Sequence, residues 1–148
     1  MQIAYDEAVE GMLKNEGGPF GAVIVKDDKV IAQAHNSVLK TNDPTAHAEI
    51  NAIRMASKIL GTFELNECTL YTSCKPCPMC LGAIFWARIP VVYYGANEDD
   101  AAHGGFDDKR FYEMIEGENK DVRLIELNPE ESAKLFDIWL EKNDRQGY

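Results

Sequence analysis

Two short segments constrain the fold of this 148-residue chain more than any other part of it: His47-Ala48-Glu49 and, further along, Pro76-Cys77-Pro78-Met79-Cys80. They supply one imidazole, two thiols and one carboxylate, the side chains that hold a zinc ion and move protons beside it. Cys77 and Cys80 are three residues apart, so on a helix both thiols lie on one face and can grip a single ion. Pro76 suits a first helical turn, which predicts that the thiols sit at a helix N-terminus. The helix dipole there favours the thiolate that a metal requires. His47 and Glu49 are two apart and do not share a helix face, so they serve the same ion only if it lies off the end of their helix. Asp43-Pro44-Thr45 supplies that end, with Asp43 as N-cap and Pro44 at the first helical position. The fold must then bring two helix N-termini to one point.

With His47, Cys77 and Cys80 as ligands, zinc keeps a fourth position for water, as catalytic sites do and structural sites do not. Glu49 is left as the proton carrier. Cys74 extends the pattern to C-x-x-C-x-x-C, the start of an iron-sulfur ligand run, but no fourth cysteine follows at suitable spacing. Cys68 lies in the apolar run Cys68-Thr69-Leu70-Tyr71 and reads as packing. Four cysteines demand no disulfides in a chain of this size, and in a reducing compartment C-x-x-C reads as metal-binding. No apolar run follows a basic start, and none approaches a membrane span, which predicts a cytoplasmic protein without a membrane partner. Twenty-five acidic against fifteen basic residues leave a net charge of -10. Clustered Lys and Arg are absent, so nucleic acid is excluded as the expected partner and a small molecule is favoured.

The rest of the chain reads as alternating helices and strands. Residues 2–15 form a helix anchored by Ile3, Val9, Met12 and Leu13 and stopped by Gly17-Gly18-Pro19. The strands 21–25 and 30–34 flank Asp27-Asp28 as a hairpin. A helix over about 45–60 turns Ile50, Ile53 and Leu60 inward and ends at Gly61. Strand 68–73, an apolar and therefore buried helix 77–87, and strand 91–94 follow. Such alternation implies a sheet with a parallel component, covered on both faces. Residues 97–105 read as a loop or short helix. Asn128-Pro129-Glu130-Glu131 opens a helix with the apolar stripe Leu135, Phe136, Trp139 and Leu140.

H-x-E followed by P-C-x-x-C, over roughly residues 18–95, resembles the cytidine/nucleobase deaminase superfamily. Within it, residues 42–49, Tyr71-Thr72-Ser73-Cys74, residues 81–88 and Gly105-Phe106-Asp107-Asp108 look most like the bacterial guanine deaminases. The resemblance implies a three-layer α/β/α sandwich around a mixed five-stranded sheet. It implies a single domain whose core is 1–95 and whose segment from about 96 to 148 is exchanged between the subunits of a homodimer. One Zn²⁺ per chain would sit on His47, Cys77 and Cys80, with Glu49 catalytic. The implied reaction is hydrolytic attack at C2 of guanine: Glu49 moves the proton to the neighbouring ring nitrogen and then to the leaving amine, giving xanthine and ammonia.

By the same resemblance Asn36 contacts the purine through its amide, Asp108 pairs with the guanine edge that carries N–H donors, and Tyr148 closes the pocket of the partner subunit. Without the family, Asn36 reads as a turn asparagine and Asp107-Asp108-Lys109-Arg110 as a solvated charge cluster. Phe20 and Trp86 either stack on the base or belong to the core. The backbone amide of Ala48, near a helix start, can hold a substrate oxygen. His35 and His103 have no second ligand at metal spacing and read as ordinary histidines. Two positions depart from the family pattern: Lys75 stands where a glutamate is usual, and His103-Gly104 leads into Gly105. Other expectations stay open. They are deamination of another base or nucleoside (cytosine, adenine, guanosine, an amino-triazine) or of a tRNA adenosine, and a metal-binding or electron-transfer module without turnover.

Overall fold

The computed structural model describes residues 1–117 together with Pro129 and Lys134. The chain divides into a compact unit of residues 1–113 and a second of 114–148. The expected C-terminal helix start, its apolar stripe and Tyr148 lie outside the described residues.

The elements run α1 (Gln2–Leu13), β1 (Gly21–Lys26), β2 (Lys29–His35), α2 (Val38–Thr41), α3 (Ala48–Leu60), β3 (Thr69–Cys74), α4 (Pro78–Trp86), β4 (Val91–Ala96), α5 (Glu98–His103) and α6 (Asp108–Glu116). Asp27 and Asp28 both take positive φ, 50° and 59°, as a tight hairpin with the right-handed twist of its strands demands. The sheet order is β2-β1-β3-β4, with antiparallel β1–β2 and β1–β3 pairs and a parallel β3–β4 pair. The sheet is therefore mixed, as expected, and α4 is the crossover between its parallel strands. Four strands rather than five are present among the described residues. All four come from the first 96 residues.

Strand alternation sends Ala22 and Ile24 of β1, Ala32 and Ala34 of β2 and Leu70 of β3 to one face, where they meet Ala48, Ala52 and Ala56 of α3. Those alanines recur every fourth residue and let the helix lie close to the sheet. Of the expected inward residues, Ile53 and Leu60 pack at the margin of this core, and Ile50 is half-buried outside it. Burial of the larger members, Ile24, Leu65, Leu70 and Ile84, contributes about 1.5–3 kcal/mol each. On the other face of β1, α1 approaches even more closely: a Cβ on Gly21 would lie 2.0 Å from the carbonyl oxygen of Ala4.

That approach overturns the expected anchors of α1. Ala4, Ala8 and Gly11 are its buried residues, while of the expected anchors Ile3, Met12 and Leu13 are exposed and Val9 is half-buried. The seat on β1 is too shallow for large side chains. The expectation for α4 also fails in part. Only Cys80 and Ile84 are buried on it, while Phe85 and Trp86 are exposed, because the helix packs through one narrow face. α6, where a solvated charge cluster was the reading without the family, is helical from Asp108 onward.

Candidate active site

α3 and α4 begin beside one another, and the residue that caps each start is a ligand candidate. His47 is the N-cap of α3 and Cys77 the N-cap of α4, both with extended backbone. The predicted boundaries shift accordingly. Pro78, not Pro76, takes the first helical position of α4, and α3 starts at Ala48 rather than Thr45. Asp43 does cap, but it caps a turn: its Oδ1 accepts from the Thr45 amide at 2.8 Å and the Thr45 hydroxyl at 2.7 Å. This turn sets His47 at the mouth of α3, where its ring points off the helix end.

His47 Nδ1 lies 3.6 Å from Cys77 Sγ and 3.6 Å from Cys80 Sγ, and the three ligand atoms lie within 4.8 Å of one another. A tetrahedral zinc with ordinary Zn–N and Zn–S bonds of about 2.0–2.1 and 2.3 Å separates a nitrogen from a sulfur ligand by about 3.6 Å. The donor set and its spacing therefore fit zinc without rearrangement. The Cys80 thiol donates toward Cys77 and, against the effect of burial, this bond and His47 pull the Cys77 pKa down to about 4. The Cys80 pKa is pushed up by the same bond, so Cys77 ionises first and zinc entry must displace the Cys80 proton.

Glu49, the second helical residue of α3, is buried beside this triad. Its Oε1 accepts from the Thr72 hydroxyl of β3 at 3.2 Å, and its Oε2 lies 3.5 Å from Cys80 Sγ. Burial raises its pKa, the direction that a carboxyl exchanging protons near neutrality needs. Ala48 is fully buried at the first helical position, where its amide has no carbonyl one turn back.

A cavity of about 460 Å³ opens over these groups, within the about 300–1,000 Å³ usual for small-molecule sites. His47, Glu49 and Cys77 form part of its wall, together with Asn36, Phe20 and Asp108. Asn36 is buried, and its Oδ1 accepts from the amides of Val38 at 3.1 Å and Gly18 at 3.4 Å. That commitment turns its Nδ2 donor toward the cavity. Phe20 meets Phe106 edge to face at 4.7 Å between centroids. Asp108, first residue of α6, is half-buried, and burial raises its pKa, with the Cys77 thiolate adding to the effect. Its neighbours Asp107, Lys109 and Arg110 are exposed, so the charge cluster has one member that serves the cavity and three that face solvent.

Trp86 is corrected. It lies at the far end of α4, is 61 % exposed, and is absent from the cavity wall. Its helix turns the metal-binding end, not the C-terminal end, toward the cavity. Cys74 is buried and outside the metal group. Its thiol points at the Asn97 carbonyl at 3.5 Å, and burial lifts its pKa to about 11. Lys75 does line the cavity, but its ammonium is paired with Glu98 at 2.9 Å and lies 4.7 Å from the centre of the Tyr112 ring. His103 is exposed. Sequence reasoning missed Gly17, Gly18, Pro44 and Phe106 as wall residues. It also missed Asn51, whose Nδ2 reaches the carbonyls of His35 and Ala46 and the Ser37 hydroxyl at 3.0–3.3 Å. The stretch Gly105-Phe106-Asp107-Asp108 was the one available signal for Phe106.

Residues 1–96 match the family described as the cytidine and deoxycytidylate deaminase zinc-binding region. Guanine deaminase of Bacillus subtilis is 48 % identical over 143 residues, covering 95 % of this chain and 92 % of that protein. The X-ray structure of guanine deaminase from Bacillus subtilis superposes with a TM-score of 0.94 at 47 % identity, over 99 % of this chain and 95 % of that one. A tRNA-specific adenosine deaminase of Aquifex aeolicus is 44 % identical over 105 residues, covering 71 % of this chain and 68 % of its own length.

Proposed function

The chain belongs to the cytidine and deoxycytidylate deaminase zinc-binding family, and from that premise we propose that it hydrolyses guanine to xanthine and ammonia. One observation carries the choice of base: the cavity wall holds both a side-chain amide donor and a carboxylate acceptor. The Asn36 amide has its oxygen committed to two backbone amides and presents N–H, while Asp108 presents carboxylate oxygens. Guanine matches this polarity, with N7 and O6 as acceptors on one edge and N–H donors on the other, whereas adenine and cytosine carry an amino donor where guanine has O6. A mismatch leaves a buried polar group unpaired and is strongly selected against.

Zinc, when bound, acidifies water and so supplies a nucleophile at neutral pH. His47, Cys77 and Cys80 are the residues that would hold it. Glu49 takes a proton of the attacking water and gives it to the ring nitrogen beside C2. It then takes the proton of the hydroxyl now on C2 and gives it to the amine, so that the C–N bond breaks, ammonia leaves and the C2 carbonyl of xanthine forms. Thr72 keeps the carboxylate aimed while this happens. The Ala48 amide receives a substrate oxygen, and Phe20, braced by Phe106, forms the apolar side of the slot. Ammonia release measured across guanine, adenine, cytosine, guanosine and an amino-triazine tests this reading. Guanine is expected to dominate, and release from another base with none from guanine overturns it.

The reading extends to the whole enzyme as a cytoplasmic homodimer, consistent with four free thiols and with no helix among the described residues long and apolar enough to cross a membrane. The exchange of the segment from about 96 onward, the trans action of Tyr148 and a fifth strand beyond the four described belong to the same proposal. A mass measurement in solution that gives one chain rather than two removes the exchange.

A further inference from the structure

His35, an ordinary histidine by its spacing, stands between two carboxylates at the end of β2. Its Nδ1 lies 2.9 Å from Glu7 Oε2 and its Nε2 2.9 Å from Glu16 Oε2. A neutral imidazole has one N–H, so one carboxylate would then face a lone pair, whereas the imidazolium donates to both. Glu7 also accepts from Gln33 at 2.7 Å, and both oxygens of Glu16 accept from Lys40 at 3.0 Å. The ring fills the space beside Gly11, where a Cβ would sit 2.5 Å from its Cδ2.

What this cluster holds together is the cavity wall. Glu16 is followed by Gly17 and Gly18, and His35 by Asn36, and these two short runs are tied to one another. Gly17 leaves no room for a Cβ, which would lie 2.1 Å from Asn36 Oδ1, and the Gly18 amide donates to that same oxygen. The Lys40 amide donates to the Glu16 carbonyl at 3.0 Å and the Asn36 amide to the Phe20 carbonyl at 2.9 Å. We propose that His35 is a positioning residue for the substrate wall: by bridging Glu7 and Glu16 it fixes the 16–18 loop against Asn36 and so sets where the Asn36 amide meets the base. The identity of that base rests on the function proposed above.

The groups facing His35 are Glu7 and Glu10 from α1, with Lys14 paired to Glu10, Glu16 from the loop, Lys40 of α2 on Glu16, and the neutral Gln33 of its own strand. Burial pulls its pKa down, but the bonds to Glu16 and Glu7 outweigh burial and leave it above that of an ordinary histidine. The bridge is therefore closed below the raised value and opens as pH rises through it.

Proton NMR of the zinc-loaded enzyme, with the His35 signal assigned from its loss in His35→Gln, reads the bridge without turnover. The ring is expected to titrate above about 6.5, the ordinary histidine value, and in Glu16→Gln to titrate lower than in the wild type. A midpoint at or below the ordinary value overturns the proposal. In steady-state kinetics the wild-type KM is expected to rise as pH passes that midpoint, with kcat moving less than about twofold. His35→Gln should raise KM below that midpoint by about 3- to 10-fold and remove the pH-dependent limb. Equal losses in kcat and KM, or an unchanged limb in His35→Gln, overturn it. If His35→Gln fails to fold, Glu16→Gln carries the same kinetic test and the wild-type titration stands. If another base is turned over in place of guanine, the proposed substrate is wrong and KM for that base reads the bridge.

Discussion

Glu49 and Asp108 are both carboxylates of the cavity with raised pKa values, yet their surroundings assign them different work. Glu49 is 5 % exposed, is held by Thr72 and lies against the metal triad, and the function proposed above gives it the proton. Glu49→Gln preserves shape and loses the exchangeable charge. It is expected to lower kcat by at least about 10²-fold while zinc per chain, measured by metal analysis, stays unchanged. Asp108 starts α6 and lines the cavity, and the function proposed above gives it the N–H edge of the base. Asp108→Asn puts amide hydrogens among the acceptor oxygens and is expected to lower kcat/KM for guanine by about 10²-fold, through KM more than kcat. A loss confined to kcat would move Asp108 into the proton-transfer path instead.

At the scale of elements, the site depends on how closely helices can approach the sheet. α1 reaches β1 through Ala4, Ala8 and Gly11 against Gly21, and the loop after α1 carries Gly17 and Gly18 into the cavity wall. Gly21→Ala places a methyl 2.0 Å from the Ala4 carbonyl oxygen, a backbone atom that cannot step aside. It is expected to destabilise the protein by about 1–3 kcal/mol, read as a lower Tm. α3 and α4 contribute through their first residues, where the chain leaves extended backbone for helix and aims His47 and Cys77 at one point. α6 is tied back to the metal loop by the Tyr112 hydroxyl, which donates to the Pro76 carbonyl at 2.6 Å one helical turn from Asp108. Lys75, the departure from the usual glutamate, reinforces this tie by packing its ammonium on the Tyr112 ring.

For the molecule as a whole, metal and charge set the dependence on conditions. Three ligands drawn from α3 and α4 make zinc a cross-link between two helices, so a chelator is expected to abolish turnover and lower Tm together. The pH dependence of stability has two limbs. His35 is raised in the folded state, so its contribution is full below the ordinary histidine value and is lost as pH rises through the folded one. Glu16 is lowered, chiefly by its bond to His35, so its contribution is present above the ordinary carboxylate value and is lost as pH falls through the folded one. Tm is therefore expected to peak between those limbs, and His35→Gln to flatten the alkaline one. A net charge of -10 with a neutral base as substrate predicts kcat/KM that is insensitive to salt over about 50–500 mM, since no counterions are released.

The metal triad, Glu49, the hairpin turn and the alternation of helices and strands were legible in the chain because each is a local matter. Ligand spacing, φ > 0 at Asp27-Asp28, and proline and glycine at element ends act within a few residues. The choice among similar apolar residues was not local. Ile3, Met12 and Leu13 were the better hydrophobes of α1, but the depth of the seat on β1 selected Ala4, Ala8 and Gly11 instead. Trp86 looked like a stacking partner, and the direction in which α4 runs carried it away from the cavity. His35 looked ordinary because its partners Glu7 and Glu16 come from other elements, and an ion pair across elements leaves no spacing to read. The sequence by itself determined which chemistry the protein carries, because ligands and proton carrier lie in two short motifs. Only the tertiary structure decided what surrounds that chemistry, because Asn36 and Asp108 come to one cavity by packing between segments far apart in the chain.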